Sequence, residues 1–191
     1  MIKAVIFDCF GVLVTNSWGP FKQRYFGHDP ELMQQATDLM QQADAGFIDW
    51  PTTTQALAKL TGLSLDEVNR QLDETPSNEP LFRLIESLKA DYKIGMLSNA
   101  ADNWLSTLFT PDQLALFDAT ALSYDIGFMK PQLGAYELAA ERLDVLPKEC
   151  VFVDDHEELC TAAKDTGMQA VWYRDFDQFK SDIEKILSKA A

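Results

Sequence analysis

The chain has 191 residues, 47% of them hydrophobic and 24% charged, which is the length and composition of one globular domain with a modest insertion. Its formal net charge of −14 at pH 7 argues against nucleic acids and anionic membranes as partners, because both attract basic surfaces. A small phosphate ester is not excluded, since a local site can be basic inside an acidic protein.

The cysteines and the start of the chain bear on its location. Cys9, Cys150 and Cys160 lack the paired spacing of a disulfide or metal framework, which favours free thiols in a reducing compartment. Asp8 interrupts the apolar start of the chain and no small-residue cleavage site follows, so we do not expect a signal peptide. No apolar stretch is long enough to span a bilayer. We therefore expect a cytoplasmic protein, and its oligomeric state stays open.

The first predicted element is a strand over residues 4–7. This run is apolar and rich in β-branched residues, which is typical of a strand buried on both faces of a parallel sheet. Asp8 follows it directly, and Gly11 then permits a turn or a close backbone approach. Open α/β sheets bind ligands at the carboxyl ends of their strands, so Asp8 is a candidate functional residue. The alternative is that Asp8 only caps a turn.

A helical insertion is predicted over residues 15–78. Residues 15–20 form a polar, turn-rich exit from the strand, and no strand-like run follows before Asn78. Helical periodicity predicts one helix that Asp29 caps, with Pro30 at its first position and Gly46 at its end. Two more are predicted, one over residues 53–60 with Gly62 as its stop and one from Ser64 to about residue 73. The chain thus divides into an α/β core of residues 1–14 and 79–191 and the helical insertion.

Beyond the linker at residues 75–80, helices and strands alternate. The predicted strands cover residues 93–97, 117–122, 150–153 and 169–173. The predicted helices cover residues 81–88, 102–109 (with Asp102 as its cap), 136–143, 157–166 and 176–186, and residues 123–131 form a loop. This alternation predicts a Rossmann-like parallel sheet with helices on both faces.

Reactive side chains collect where these strands end. In a parallel sheet all such ends meet at one edge, so the following residues are expected to converge: Asp8, Ser98, Asn99, Lys130, Asp154 and Asp155. Three neighbouring carboxylates repel one another, and a divalent cation relieves the repulsion. Oxygen ligands without His or Cys suit Mg²⁺. A lysine and a hydroxyl group opposite the metal form an anion site, and phosphate is the natural anion. A carboxylate such as Asp8 could then attack phosphorus and form an aspartyl phosphate.

Each of these residues also has an ordinary structural interpretation. Asp154 and Asp155 could cap a helix or remain solvated, Ser98 could be a turn residue, and Lys130 could be a surface charge. The complete set, with each member at or after a strand end, is much harder to assemble by chance.

The pattern resembles the haloacid dehalogenase (HAD) superfamily over the whole chain. The strand that ends in Asp8 resembles the first motif of that family, Ser98 the second, Lys130 with Pro131 the third, and Asp154 with Asp155 the fourth. Residues 122–131 are similar to the phosphatase-like branch, which includes sugar-1-phosphate phosphatases and the N-terminal phosphatase domain of epoxide hydrolases. The helical insertion resembles the type 1 cap of the family.

The resemblance implies a function and roles for these residues. It implies Mg²⁺-dependent hydrolysis of a small phosphomonoester, with a sugar phosphate as one candidate and Asp8 as the nucleophile. Ser98 and Lys130 would bind the transferring phosphoryl group with Asn99 beside them. The implied metal ligands are Asp8, the backbone carbonyl of Phe10, and one or both of Asp154 and Asp155.

Phe10 departs from this pattern. Phosphatases of the family usually have a second Asp at this position, which protonates the leaving group and later activates water. General acid–base catalysis typically contributes about 10²–10⁴-fold to the rate, or about 3–5 kcal/mol of barrier. One hypothesis is a phosphatase that obtains the proton from its substrate or from the helical insertion, where His28, Asp44 and Asp49 are candidates.

Two other hypotheses remain. Dehalogenases have an aromatic residue at this position, because expelling halide needs no proton. However, they work without the metal that Asp154 and Asp155 suggest, and they bind substrate with a cap arginine, for which Arg24 and Arg70 are the candidates. The third hypothesis is a catalytically weak or inactive protein that binds a ligand at the phosphate site.

The aromatic residues of the insertion are expected mainly to pack its core or its contact with the α/β core. These residues are Trp18, Phe21, Tyr25, Phe26, Phe47 and Trp50. Phe10 could likewise fill an apolar gap under the insertion and leave its backbone oxygen free for a metal.

Overall fold

The sheet of the α/β core has five parallel strands in the order β3-β2-β1-β4-β5. The structure is a computed structural model that describes residues 1–189. The strands are β1 (Ala4–Phe7), β2 (Lys93–Ser98), β3 (Ala119–Leu122), β4 (Cys150–Asp154) and β5 (Gln169–Trp172). The predicted Rossmann-like parallel sheet is therefore confirmed.

The first strand lies at the centre of this sheet and is buried on both faces. Val5 and Phe7 belong to one apolar cluster, whereas Ala4 and Ile6 belong to another on the opposite face. The register pairs Phe7 with Met96 of β2 and with Val153 of β4. The three strands therefore end together, and Asp8 follows between its two neighbours.

Helices cover both faces of the sheet. On the face of Val5 and Phe7 lie α5 (Glu79–Leu88) and α11 (Phe176–Lys189), and on the other face lie α9 (Leu133–Arg142) and α10 (Glu157–Asp165). The connections contain the short helices α6 (Leu105–Leu108), α7 (Pro111–Leu114) and α8 (Ser123–Ile126) and a 3₁₀ turn at Pro147–Glu149. Across residues 1–189, no helix has the length and apolar character needed to cross a membrane.

The helical insertion consists of four helices with an apolar cluster of their own. They are α1 (Trp18–Phe26), α2 (Pro30–Asp44), α3 (Trp50–Thr61) and α4 (Leu65–Leu72). The buried members of the cluster are Phe21, Phe26, Ala36, Leu57, Val68 and Leu72. This separate cluster supports the division into residues 1–14, 15–78 and 79–191, which stays a prediction.

The sequence locates several helix ends correctly. Asp29 caps α2 by accepting hydrogen bonds from the N–H groups of Glu31 and Leu32, and Pro30 is the first helical residue. Ser64 caps α4 by accepting from the N–H group of Glu67. Gly62 ends α3 with a φ of 73°, in the left-handed region that glycine enters without cost.

Three local predictions are wrong. A helix, α1, begins at Trp18 inside the stretch predicted as a turn, because proline is tolerated in a first helical turn and burial of Phe21 and Phe26 stabilises the helix. The helix predicted over residues 102–109 shortens to α6, and Asp102 does not cap it, because the Asn103 side chain accepts the Leu105 N–H group and holds a turn there. The loop predicted over residues 123–131 contains α8.

Candidate active site

The centre of the site is the ammonium group of Lys130, which lies between two carboxylates. Its Nζ is 2.5 Å from Asp8 Oδ1 and 2.7 Å from Asp154 Oδ2. The side chains of Lys130, Asp8 and Asp154 are 3%, 8% and 0% exposed. The predicted convergence of these three residues from three separate parts of the chain is therefore present in the structure.

The three charges stabilise one another in an environment that penalises each of them. Burial disfavours the ammonium form of Lys130, but Asp154 and Asp8 outweigh this and hold its pKa above the ordinary value. Burial also disfavours the carboxylate of Asp154, but Lys130 keeps its pKa below the ordinary value. The pKa of Asp8 is raised, by burial first and also by the charge of Asp154, although Lys130 opposes the rise. Two carboxylates share one cation, so the cluster has an excess of negative charge that a second positive charge would stabilise.

The backbone of Lys130 is fixed by Asn99, which directly follows β2. The Lys130 N–H group donates to Asn99 Oδ1 at 2.8 Å, and Asn99 Nδ2 donates to the Lys130 carbonyl at 3.0 Å. Asn99 therefore positions the loop that supplies the ammonium group. Ser98, the last residue of β2, is 1% exposed, and its hydroxyl group donates to the Asn99 carbonyl at 3.3 Å.

Asp155 lies against the loop that follows Asp8. Gly11 has a φ of 96°, and a Cβ atom built on it would lie 2.2 Å from Asp155 Oδ2. Glycine is thus required both by the backbone conformation and by the closeness of the carboxylate. The neighbouring carbonyl of Phe10 accepts no hydrogen bond within residues 1–189. A free carbonyl oxygen and carboxylates are oxygen donors of the kind that Mg²⁺ prefers, so the chemistry of these residues fits this metal.

His156 is a part of the site that the sequence analysis missed, although it directly follows the two aspartates. Its Nδ1 is 2.9 Å from Asp155 Oδ1 and 3.5 Å from Asp154 Oδ1. Hydrogen bonds to Asp154 and Asp155 raise the pKa of His156 to about 10. The imidazolium ion therefore neutralises part of the negative charge on the outer side of the carboxylates.

The Phe10 side chain packs on the core side of the site. Its ring meets the ring of Trp104 edge to face, with centroids 5.0 Å apart. Trp104 belongs to the connection after β2, and its position could not be read from the sequence. Phe10 thus packs against an apolar ring of the α/β core, and the expectation that it fills a gap under the insertion stays a prediction.

The helical insertion reaches the site at the end of α2. The Ser123 hydroxyl group contacts the Asp44 carbonyl at 2.5 Å and accepts from the Ala100 N–H group at 2.8 Å. The Asp44 side chain is partly buried, and burial raises its pKa to about 6, against the opposing charge of Lys130. Ser123 joins the insertion to the chain that leaves β2, and no sequence signal singled it out.

The other charged candidates of the insertion lie elsewhere. Asp49 is exposed and caps α3 by accepting from the Thr52 N–H group at 2.8 Å, and His28 is also exposed. Arg24 stacks on Tyr25, and Arg70 pairs with glutamates of its own helix region. Five of the six aromatic residues named above for the insertion pack in its apolar cluster, whereas Phe47 is 81% exposed.

Comparisons with known proteins agree with this geometry. The chain is 26% identical to "Putative phosphatase YhcW" of Bacillus subtilis (strain 168) over 184 residues, which are 90% of this chain and 83% of that protein. It is 29% identical to bifunctional epoxide hydrolase 2 of Rattus norvegicus over 118 residues, which are 57% of this chain but only 21% of that protein.

A solved structure shows the same fold. The HAD family enzyme BT-2542 of Bacteroides thetaiotaomicron, crystallised in complex with magnesium and inorganic phosphate, superposes with a TM-score of 0.73 at 22% identity. The alignment covers 94% of this chain and 99% of that one. Residues 2–167 match the family description "haloacid dehalogenase-like hydrolase". The resemblance found in the sequence is thus confirmed, and the chain belongs to the haloacid dehalogenase-like hydrolase family of enzymes.

Proposed function

We propose that this enzyme hydrolyses a small phosphomonoester in a Mg²⁺-dependent reaction, through an aspartyl phosphate on Asp8. The observation that carries the proposal is the buried Asp8–Lys130–Asp154 cluster at the carboxyl edge of the sheet. A nucleophilic carboxylate beside a fixed cation is what attack on a negatively charged phosphoryl group requires. The likeness to a protein named as a phosphatase adds support.

Four oxygen groups would hold the metal ion. They are the carboxylates of Asp8, Asp154 and Asp155 and the free carbonyl of Phe10. A bound Mg²⁺ would supply positive charge to the phosphoryl oxygens and to the three carboxylates. Its charge would also oppose the effect of burial on Asp8, so that Asp8 is ionised and able to attack.

Lys130 and Ser98 would bind the oxygens of the transferring phosphoryl group. Lys130 already has its ammonium group directed at Asp8, and Asn99 fixes its backbone. The Ser98 hydroxyl group makes only a 3.3 Å contact and could turn to a better acceptor. Asn99 itself would act mainly by positioning Lys130, because both ends of its amide are engaged.

The substrate is proposed to be a small phosphate ester, with sugar phosphates among the candidates. The net charge of −14 disfavours nucleic acids and anionic membranes. The end of α2 contacts the core at Ser123, and an insertion that closes over the sheet edge from there would suit a small substrate.

The test is phosphate release from a panel of sugar phosphates, nucleotides and an activated aryl phosphate. Each ester is measured with Mg²⁺, with EDTA and with the Asp8→Asn variant. Asp125→Asn is the matched control, because Asp125 is exposed and pairs with Arg142 away from the cluster. We expect release that requires both Mg²⁺ and Asp8 and that persists in the control.

Other outcomes would redirect the proposal. Halide release from a 2-haloacid without Mg²⁺ would support a dehalogenase, consistent with the aromatic Phe10. Tight binding of Mg²⁺ and phosphate without turnover of any ester would support a ligand-binding protein. Either result would contradict the phosphatase proposal.

A further inference from the structure

Hydrolysis of an unactivated phosphate ester needs a proton donor at the leaving oxygen. An alkoxide leaving group is a strong base, so its departure is slow unless it receives a proton as the P–O bond breaks. The aryl oxygen of 4-nitrophenyl phosphate is a far weaker base and leaves without this help. This inference rests on the proposed function and asks which residue gives the proton.

The groups at the carboxyl edge of the sheet do not supply this proton. Phe10 has no proton to give, and Asp8 must be ionised to attack. Lys130 is held by Asp8 and Asp154, which stabilise its ammonium form. The imidazole Nδ1 of His156 is already engaged by Asp155 at 2.9 Å.

The helical insertion brings one further acid to this edge, namely Asp44. It is the last residue of α2, and its carbonyl is bound by Ser123, which in turn accepts from the Ala100 N–H group two residues after Ser98. The following turn also lies on the core, since a Cβ atom on Gly46 would be 3.9 Å from the Cα of Tyr124. Two contacts thus fix this end of α2 beside the strand end that contributes Ser98.

The Asp44 carboxylate is partly buried and unengaged. It makes no hydrogen bond or ion pair within the described part of the chain, and its side chain is shielded from much of the solvent. The charge of Lys130 acts on the pKa of Asp44, so this end of α2 lies within electrostatic range of the cluster. A partly buried acid without a partner, on a helix end that contacts the core beside the proposed phosphate site, is available for the chemistry of a substrate.

We propose that Asp44 is the general acid–base catalyst of this enzyme, contributed by the helical insertion. In the first step an Asp8 oxygen forms a bond to phosphorus, the bond from phosphorus to the ester oxygen breaks, and that oxygen takes its electron pair and the Asp44 proton. In the second step the Asp44 carboxylate takes a proton from water, the resulting hydroxide attacks phosphorus, and the bond to Asp8 breaks. Alcohol and inorganic phosphate are released, and both aspartates return to their starting forms.

The titration of Asp44 suits both steps. Burial raises its pKa to about 6, so a useful fraction is protonated near neutral pH and the conjugate base is strong enough to take a proton from water. Lys130 is the charged group that opposes this rise. An exposed aspartate would be almost fully ionised at the same pH.

The test compares esters with poor and good leaving groups in the Asp44→Asn variant. We expect kcat/KM for an alkyl or sugar phosphate to fall about 10²–10⁴-fold. For 4-nitrophenyl phosphate, kcat/KM should fall less than about tenfold, while kcat falls and the phosphorylated enzyme accumulates because the second step is slow. Asp38→Asn is the matched control, since Asp38 is an exposed aspartate on the same helix.

A second variant tests the positioning of Asp44. Ser123→Ala removes the hydroxyl group that holds the Asp44 carbonyl. We expect kcat/KM to fall more for the alkyl or sugar phosphate than for 4-nitrophenyl phosphate, by a smaller factor than in Asp44→Asn. A purely structural defect would instead lower the rates of both esters equally. Circular dichroism and thermal unfolding of each variant separate misfolding from a catalytic loss.

The two proposals can fail separately. Suppose that Asp8→Asn abolishes turnover while Asp44→Asn changes kcat/KM by the same factor, relative to wild type, for both types of ester. The phosphatase proposal then stands and the role of Asp44 is refuted. A leaving-group effect in His156→Gln but not in Asp44→Asn would assign the proton to His156 and likewise overturn the inference. If the wild-type protein releases phosphate from none of the esters, the proposed function itself is contradicted.

Discussion

Three buried charges meet at Asp8, Lys130 and Asp154, and their energetic cost supports the proposal that they have a chemical function. Removing ions from water costs several kcal/mol each, and their mutual attraction often only offsets that cost. Replacing buried ion pairs by apolar residues of similar volume is often neutral or stabilising. The sequence retains the charges at the one edge where parallel sheets bind ligands, which is a reason to assign them a function.

Gly11 gives a first prediction at the residue scale. A Gly11→Ala substitution places a Cβ atom 2.2 Å from Asp155 Oδ2, so the carboxylate must move away from the Phe10 carbonyl. If both groups bind Mg²⁺, the affinity for Mg²⁺ should fall about 10–100-fold in calorimetric titration.

Gly62→Ala is the control for the backbone strain of that substitution. Gly62 also has a positive φ, of 73°, but it has no atom within 4 Å of an added Cβ. We expect both variants to lose about 1–2 kcal/mol of unfolding free energy and only Gly11→Ala to lose metal affinity. Equal Mg²⁺ binding in the two variants would remove Asp155 from the proposed ligands.

Asp44 gives a prediction about stability and pH. Its pKa is about 6 in the folded protein and 3.8 ordinarily, so the folded state binds more protons between these values and loses stability as the pH rises through them. Asp44→Asn removes this loss. The variant should be more stable than wild type by about 1–3 kcal/mol at pH 7.5 and about equally stable at pH 4.

Urea unfolding at both pH values measures this difference. The exposed Asp38→Asn variant on the same helix should show no such dependence. A stability difference between Asp44→Asn and wild type that is the same at both pH values would contradict the raised pKa.

At the scale of elements, local chemistry predicted the helix ends well and tertiary packing decided the rest. Asp29 and Gly62 act through their own neighbouring backbone, so their roles could be inferred without knowing the fold. The start of α1 at Trp18 could not be inferred, because the burial of Phe21 and Phe26 depends on the other helices of the insertion. The same applies to Ser123, whose partners Asp44 and Ala100 are distant in sequence.

The chain returns from the insertion to the core at Asn78, which gives a prediction about this connection. Asn78 Nδ2 donates to the Val12 carbonyl at 2.9 Å and to the Tyr173 hydroxyl oxygen at 2.6 Å, and its backbone N–H group donates to the Leu13 carbonyl. Asn78→Ala should lower the free energy of unfolding by about 1–3 kcal/mol, because it leaves a buried carbonyl without a donor.

Tyr173→Phe is the partial control in denaturant unfolding. It removes one of the two hydrogen bonds that Asn78 Nδ2 donates and keeps both the Val12 contact and the Asn78 cap on the Leu81 N–H group, so we expect a loss of about 0.5–1.5 kcal/mol. If Asn78→Ala costs no more than Tyr173→Phe, the contact with Val12 does not stabilise the connection.

At the scale of the whole molecule, the residues of the site that sheet topology brings together could be predicted from the sequence. Those that depend on how the helical insertion packs on the α/β core could not. A parallel sheet collects Asp8 and Asp154 at one edge in any detailed geometry, so their convergence followed from the strand pattern. Lys130 reaches them from the loop after β3, which Asn99 holds in place. The contact of α2 with the core depends on the orientation of the insertion, which no periodicity encodes. His28, Asp44 and Asp49 were therefore equivalent in the sequence, and the structure separates them.

The separate apolar clusters lead to a last prediction, that the helical insertion opens independently of the sheet. Leu57 is fully buried in the cluster of the insertion, and Leu57→Ala should cost that part about 2–5 kcal/mol. Native-state hydrogen exchange should then show faster exchange in α2 and α3, while amides of β1 and β4 keep most of their protection. Ile85→Ala, in the apolar cluster on one face of the sheet, should instead speed exchange in β1 and β4 more than in α2 and α3. If Leu57→Ala instead lowers protection equally in α3 and β4, the chain unfolds as one cooperative unit, and residues 15–78 are not a separate domain.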